Sequence, residues 1–352
     1  MKVAVLMGGT SPEREISIRS GTGVSKALLA LGHEVALLDT GTGKLLKGGE
    51  LRAALAKSSG SPAGSSALAP AVIPPSATNA GLELLVHGLS REVELCFVAL
   101  HGGDGENGTL QALLYLARVP YTGSGVLASA LAMDKAISKR IFVHEGVPTP
   151  EWVERWAPED PAQPWNPDLE DEEIERLGGF PVIVKPNDQG STVGITVVGS
   201  CADLKPALHL ARRFGRLALI ERFVPGREVT VSVLEDRPLP VVEIIPEGGF
   251  YDYEHKYTAG ASRYECPAAF PPETTERLLT LGLRACRALR TRGVARVDFR
   301  MDEAGTPFCL EVNTVPGMTE TSLVPKAAAA AGMSYEDLVR TIVDSAPIEA
   351  AR

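Results

Sequence analysis

The stretch from Val294 to Met318, VARVDFRMDEAGTPFCLEVNTVPGM, constrains the fold more than any other part of the chain. Period-2 alternation predicts strands at Val294–Met301 and Phe308–Asn313, with the turn-forming residues Asp302–Pro307 between them. The alternation puts Arg296 and Asp298 on one face of the first strand, and Glu311 and Asn313 on one face of the second. If the hairpin is symmetric about Ala304 and Gly305, Asp298 stands opposite Glu311 and Arg296 opposite Asn313. Side chains directly opposite sit roughly 5 Å apart at Cβ, where like charges destabilise, so something positive must offset the pair. Two carboxylates and an amide oxygen are hard ligands of the kind Mg²⁺ takes, with positions left for waters and substrate phosphates. The alternative is a solvated hairpin face on which Arg296 pairs with Asp298.

A chain of 352 residues with 44% apolar side chains has material for two or three domains with sizeable cores. The balance of 35 basic against 44 acidic residues, net −9, argues against a nucleic-acid partner held by bulk charge. No run of 18 apolar residues occurs, so no membrane span is expected. The opening MKVAVLMGG has too short an apolar run for a secretory signal and fits a buried first strand. Cys96, Cys201, Cys266, Cys286 and Cys309 are odd in number and lack C-x-x-C spacing. That pattern suits a reducing cytoplasm, not a disulfide frame or a zinc site.

Taken in order, Lys2–Met7 is a short apolar strand running into Gly8, Gly9, Thr10, Ser11, Pro12 and Glu13, with a helix from about Pro12 to Leu31 and a strand at His33–Asp39. This β-α-β opening places a glycine turn where open α/β sheets bind ligands, but it lacks G-x-G-x-x-G. Thr10 and Glu13 also have the spacing of a capping box, which needs only local hydrogen bonds. Residues 40–80 differ in kind, and Lys57–Ala80 is rich in Ser, Ala, Pro and Gly, as a surface insertion would be. A strand at Glu94–Leu100 ends in His101-Gly-Gly-Asp-Gly-Glu-Asn-Gly, whose glycines let backbone approach a ligand before the helix Thr109–Ala117 begins. A strand-end histidine such as His101 is otherwise a structural hydrogen-bonder. Ala130–Glu145 is expected as one helix, and the acidic, Pro-rich stretch 155–179 as a solvated face with a short helix near Glu172–Leu177.

Phe180–Lys185 and Ile195–Val198 are expected strands flanking the loop Pro186–Gly194. A lysine, hydroxyls and free N–H groups there make either a phosphate cradle or a plain glycine hairpin, and the order is not that of a Walker A motif. Leu217–Phe223 and Glu228–Leu234 are strands around the turn Val224-Pro225-Gly226, and Glu221 and Glu228 flank that turn. A strand at Val241–Ile245 precedes Pro246–Pro267, a long segment of Gly, Tyr and charge that suits a lid. The helix Pro272–Arg290 leads into the hairpin.

Together these parts resemble the ATP-grasp enzymes, and within that superfamily the D-alanine–D-alanine ligase family. The resemblance is carried by Gly8-Gly-Thr-Ser-Pro-Glu-Arg-Glu15, Leu100-His-Gly102, Tyr121-Thr-Gly-Ser-Gly125 and Met133-Asp-Lys135. It continues through Lys185–Gly194, Tyr251-Asp-Tyr-Glu-x-Lys-Tyr257 and Glu311-x-Asn-Thr-x-Pro-Gly-Met-Thr319. It fails only over roughly 40–80 and 156–175. It implies a three-domain α/β and α+β fold: a Rossmann-like N-terminal domain over 1–122 with an insertion at about 40–80, a central ATP-grasp lobe over 123–223, and a C-terminal lobe over 224–352 with a lid at 246–267.

The reaction implied is ATP-dependent joining of two D-alanines through D-alanyl phosphate, for peptidoglycan precursors. By the same resemblance Asp298, Glu311 and Asn313 would hold two Mg²⁺, with Mn²⁺ as a substitute. Lys135 and Lys185 would bind the α/β-phosphates and Lys256 the transferring group. Glu221 and the Val224 backbone would meet adenine, and Glu228 the ribose. Arg296 and the Gly317 amide would stabilise the oxyanion. Glu13, Ser191 and Tyr257 match a hydrogen-bonded set; Glu13 would also hold the first D-alanine's ammonium with His101 nearby, and Ser322 the second carboxylate. A tyrosine at 257 goes with dipeptide synthesis in the family, and the family is usually dimeric. The competing readings are an ATP-grasp ligase taking D-serine or D-lactate as second substrate, and a non-catalytic nucleotide-binding protein of the same fold.

Overall fold

The computed structural model describes residues 1–58, 88, 91–160, 168–246 and 262–347. Lys256, Tyr257 and most of the expected lid lie outside the described residues.

The N-terminal part begins with β1 (Lys2–Met7), α1 (Arg14–Ala30) and β2 (Glu34–Asp39). It continues with β3 (Lys44–Lys47), α2 (Gly48–Ser58), β4 (Leu95–Val98) and α3 (Thr109–Leu116). Their sheet has the order β3-β2-β1-β4, with β1 parallel to both neighbours and β3 antiparallel at the edge. Continuous Val/Ala/Leu runs such as Val3–Leu6 are what a parallel strand buried on both faces requires.

The start of the expected insertion is therefore structured. Leu51 and Leu55, one helical turn apart, bury α2 in the same core as Val3, Val24 and Leu37. Compositional bias over 57–80 had masked that short amphipathic pattern. The capping box of Thr10 and Glu13 does not form either: Glu13 is the N-cap of α1 without a side-chain cap bond.

α4 (Val126–Met133) and α5 (Lys135–His144) replace the single helix expected over 130–145. Asp134 breaks the run by capping α5, accepting from the Ile137 amide at 2.9 Å. The middle sheet is built from β5 (Trp152–Trp156), β6 (Val182–Pro186), β7 (Thr196–Val198) and β8 (Leu217–Arg222), ordered β5-β8-β6-β7. α6 (Asp171–Arg176) and α7 (Cys201–Arg212) lie between these strands in sequence. β5 falls at the edge of a stretch expected to be a solvated acidic face; Val153 packs into the core while Glu154 and Arg155 form ion pairs with Arg140 and Glu173.

The third sheet comprises β9 (Arg227–Leu234), β10 (Arg237–Pro238), β11 (Val242–Pro246) and β12 (Ser262–Glu265), then β13 (Val294–Met301) and β14 (Pro307–Asn313). Its main path runs β12-β11-β9-β13-β14. Both ends of the expected 246–267 lid are strand, since Pro246 pairs with Ser262 and Glu243 with Glu265. α8 (Pro272–Ala288) covers this sheet through Leu278, Leu281 and Ala285, and Gly282 lets it close in: a Cβ there would stand 2.8 Å from Val231. The closing helices α9 (Leu323–Ala330) and α10 (Tyr335–Asp344) return to the N-terminal core, where Leu338 and Ile342 join Val24 and Leu28.

The hairpin has the expected pairing at its functional end: Arg296 opposes Asn313 and Asp298 opposes Glu311. Below that the register slips, with Phe299 opposite Cys309, leaving Leu310 as the extra residue of a β-bulge. The symmetric hairpin of the sequence reading holds only on the far side of that bulge.

The buried position of Leu51, 1% exposed, makes a stability test of the corrected region. Leu51→Ala is expected to cost about 2–5 kcal/mol in urea denaturation, as a core truncation does; a loss below about 0.5 kcal/mol would return the segment to the surface.

Candidate active site

A cleft with about 870 Å³ of open space, the solvent at its mouth included, lies between the middle sheet and the hairpin sheet. Its wall brings together Lys135 from α5, Lys185 from β6 and Glu221 from β8. Val224, Glu228, Asp298 and Glu311 stand on the same wall, whereas Asn313 does not line it and Lys256 lies outside the described residues. Arg300 and Leu310 also line it, and the sequence reading did not single them out. Arg300 was within reach of that reading, since it continues the 296, 298, 300 alternation. Leu310 was not: a neighbour of Glu311 belongs on the opposite face unless a bulge intervenes, and here one does.

The acidic pair is neutralised by the chain's own cations. The Arg296 Nε and Nη2 groups donate to Asp298 at 2.8 and 2.7 Å, so the ion pair of the alternative reading is present. Lys135 Nζ lies 3.2 Å from Glu311 Oε2 and donates to the Gln189 carbonyl at 2.6 Å. Asn313 Oδ1 accepts from the Val315 amide at 3.0 Å. Among the described residues no cluster of three or more His, Cys, Asp and Glu occurs, so the candidate donors are two carboxylates and one amide oxygen. That all-oxygen set, with enough negative charge to hold two basic side chains, suits a hard divalent cation.

Glu221, only 2% exposed, lies between two lysines: Lys185 Nζ is 2.8 Å and Lys139 Nζ 3.2 Å from its Oε1. Burial by itself would push the Glu221 carboxyl up, but the two ammonium groups outweigh it and hold it below the ordinary carboxylate value. Burial lowers Lys139 to about 8, a shift that Glu221 only partly offsets. At the cavity mouth Arg300 Nε donates to the Val224 carbonyl at 3.2 Å, and Arg300 faces Glu228 across the strands at 3.5 Å.

A second set of residues gathers at the carboxyl ends of β1 and β4, beside a smaller cleft with about 360 Å³ of open space, solvent included, lined by Gly8, Gly9, Ser11, His101 and Gly102. Ser191 donates a short hydrogen bond to Glu13, joining the loop after β6 to the N-terminal sheet. Glu13 fits there because its neighbours are glycines: a Cβ would stand 2.7 Å from Glu13 Oε2 at Gly102 and 3.1 Å at Gly190. Ser191 and Thr192 have φ of 50° and 62°, a strained pair in the loop that carries the contact.

His101 is 4% exposed, and both ring nitrogens have partners. Its Nδ1 lies 2.7 Å from the Val315 carbonyl and Nε2 3.0 Å from the Ser20 hydroxyl, which also accepts from the Met318 amide at 3.1 Å. These bonds hold the segment bearing Gly317 against α1. A Cβ on Gly317 would come within 2.8 Å of Ser322 Oγ, so the two are neighbours by virtue of the glycine. Ser322 Oγ also accepts from the Thr319 amide at 3.1 Å. Nearby, Glu106 Oε2 accepts from the Gly102 amide at 2.9 Å; burial, and then Glu13, push its carboxyl well above the usual range.

Known proteins resemble the chain along its whole length. The family model for the D-ala D-ala ligase N-terminus matches residues 2–124, and that for the D-ala D-ala ligase C-terminus matches residues 141–344. A D-alanine–D-alanine ligase of Gloeobacter violaceus is 41% identical over 347 residues, covering 98% of this chain and 99% of that protein. One from Bordetella pertussis is 43% identical over 350 residues, covering 98% and 95%. The crystal structure of the Bacillus anthracis D-alanine–D-alanine ligase complexed with ATP superposes with a TM-score of 0.75 at 29% identity, covering 98% of this chain and 97% of that one. The two family models together match most of the chain, and relatives 41% and 43% identical cover nearly all of it, so the chain belongs to the D-alanine–D-alanine ligase family.

Proposed function

We propose that the chain is an ADP-forming ligase that joins two D-alanines into D-alanyl-D-alanine for peptidoglycan precursors, with ATP as co-substrate. The observation that carries this reading is the meeting, on one cavity, of two lysines with an acidic pair that chain cations already neutralise. The carboxylate of the first D-alanine takes the γ-phosphoryl group of ATP, giving D-alanyl phosphate and ADP. The amine of the second D-alanine attacks that carbonyl, and phosphate leaves from the tetrahedral intermediate. Phosphoryl transfer asks the protein for positioning and charge neutralisation more than covalent chemistry.

In this reading Lys135 and Lys185 bind the α/β-phosphates and Lys256 the transferring group. Glu221 and the Val224 backbone receive the adenine, and Glu228 the ribose. Asp298, Glu311 and Asn313 hold two Mg²⁺, or Mn²⁺, which neutralise the phosphate oxygens when bound. Arg296, paired with Asp298 in the structure, shares the oxyanion with the Gly317 amide. Glu13 holds the ammonium of the first D-alanine, His101 keeps the adjoining backbone in position, and Ser322 receives the second carboxylate. Glu13, Ser191 and Tyr257 join the N-terminal part, the phosphate loop and the lid, excluding the water that would hydrolyse the acyl phosphate.

The domain limits proposed at 122 and 223 assign one sheet to each part. We also propose a homodimer. The apolar surface that supports it is on α3 and α4, where Tyr115, Leu116 and Leu127 are exposed. The reaction belongs in the cytoplasm with its small-molecule substrates, and no described helix is long and apolar enough to cross a membrane.

Product analysis with ATP, Mg²⁺ and D-alanine, D-serine and D-lactate offered together tests the reading. Tyr257 predicts mainly D-alanyl-D-alanine at pH 7, with phosphate release that requires D-alanine. Mostly D-alanyl-D-lactate would refute the specificity, and phosphate release indifferent to D-alanine would favour a nucleotide-binding protein. Glu311→Gln should lower kcat by roughly 10²-fold or more, as loss of a transition-state charge partner does; a near-normal rate would contradict the metal assignment. Leu116→Asp should shift the sedimentation coefficient from dimer to monomer, and an unchanged value would exclude this face.

A further inference from the structure

Lys139 lies one helical turn beyond Lys135 on α5 and has no part in the roles above. Its side chain is 0% exposed and forms no part of the cavity wall. The ammonium sits 3.2 Å from Glu221 Oε1, donates to the Thr149 hydroxyl at 2.8 Å, and stands 5.2 Å from the centre of the Trp152 ring. The Thr149 hydroxyl donates in turn to the Cys309 carbonyl at 2.8 Å, so Lys139 is pinned from both sides. Lys185 reaches the same carboxylate oxygen at 2.8 Å, and Lys185 does line the cavity.

Two buried lysines around one buried carboxylate leave an excess positive charge, which low-dielectric surroundings penalise until an anion arrives. Lys185 is the cation able to meet that anion, because it stands on the cavity wall. Were it the sole partner of Glu221, its turn toward a phosphate would leave a buried carboxylate without a counter-charge. A second cation that stays in place removes the conflict.

We propose that Lys139 is a positioning residue for nucleotide binding, the fixed counter-ion that keeps Glu221 ionised and in place while Lys185 turns to the phosphates. This rests on the nucleotide reading of the cavity given above. An ionised carboxylate only accepts hydrogen bonds, so it favours a base with an exocyclic amine over one presenting a carbonyl at the same edge. Lys139 thereby supports the preference for adenine over guanine without touching either.

The test is calorimetric binding of non-hydrolysable ATP and GTP analogues, with Mg²⁺, to the full chain and to Lys139→Met, Glu221→Gln and the double variant. Lys139→Met is expected to weaken the ATP analogue roughly tenfold, the loss of about one charge-assisted contact, and to narrow the ATP-over-GTP preference. The KM for D-alanine should stay within about twofold, since the substrate end is untouched. The double variant should bind no more weakly than Glu221→Gln alone, because Lys139 acts through Glu221. Thr149→Val, which loosens Lys139 without removing a charge, covers a Lys139→Met that fails to fold, with a loss of about threefold expected. Unchanged affinity and base preference in Lys139→Met or Thr149→Val, with Glu221→Gln weakened, would overturn the role of Lys139 and leave the cavity reading standing. Losses that multiply in the double variant would overturn it equally. Unchanged ATP binding in Glu221→Gln would instead overturn the nucleotide reading itself.

Discussion

Two carboxylates held face to face across an antiparallel ladder make up the constraint on which the rest of this structure depends. Asp298 and Glu311 share a register position that pure strand pairing would disfavour. The chain tolerates it by giving each acid its own cation, Arg296 for Asp298 and Lys135 for Glu311. Lys135 comes from the end of a helix outside the sheet, so the hairpin's charge pattern also docks α5 onto it. The bulge at Leu310 adds the second half of the arrangement, because it lets an apolar residue and its acidic neighbour line the same cavity.

Glycine sets how closely the remaining pieces approach. Glu13 sits against Gly102 and Gly190, two segments far apart in sequence, and bonds to Ser191 between them. Ser322 comes up to Gly317 in the same way. In each case a methyl group would occupy the space of a polar atom that takes part in the site. His101 and Ser20 then fasten the Val315–Met318 backbone to α1, and α10 packs on that helix from the C-terminal end of the chain. The two ends of the sequence thus share one core, and the Gly317 segment is anchored to the first helix.

Charge pairs of different burial do different work here. Exposed pairs such as Lys47 with Glu92 or Arg216 with Glu159 are solvent-screened and add little. The Lys139–Glu221–Lys185 cluster is desolvated, so its members are committed to one another until a ligand changes the balance. Glu106 is the reverse case: burial, reinforced by the nearby Glu13, drives its carboxyl toward the neutral form.

The strands that carry chemistry were legible in the sequence because alternation and long Val/Leu runs are local signals. β1, β13 and the pairing of Asp298 with Glu311 are where that reading located them. The glycine-bounded loops after β4 and β6 and the acids around Val224 were legible for a similar reason, since turn chemistry is written in single residues. The break at Asp134, the strand at Trp152–Trp156 and the helix Gly48–Ser58 were not, because a helix cap, a salt-bridged edge strand and a helix held by two buried leucines are decided by what packs against them. The sequence by itself determined which acids share a strand face, since side-chain direction alternates with every residue. Only the tertiary structure decided that Lys135 answers Glu311, that Leu310 joins the cavity, and that Lys139 stands behind Glu221, because electrostatic partners over such sequence distances are chosen by the packing of separate elements.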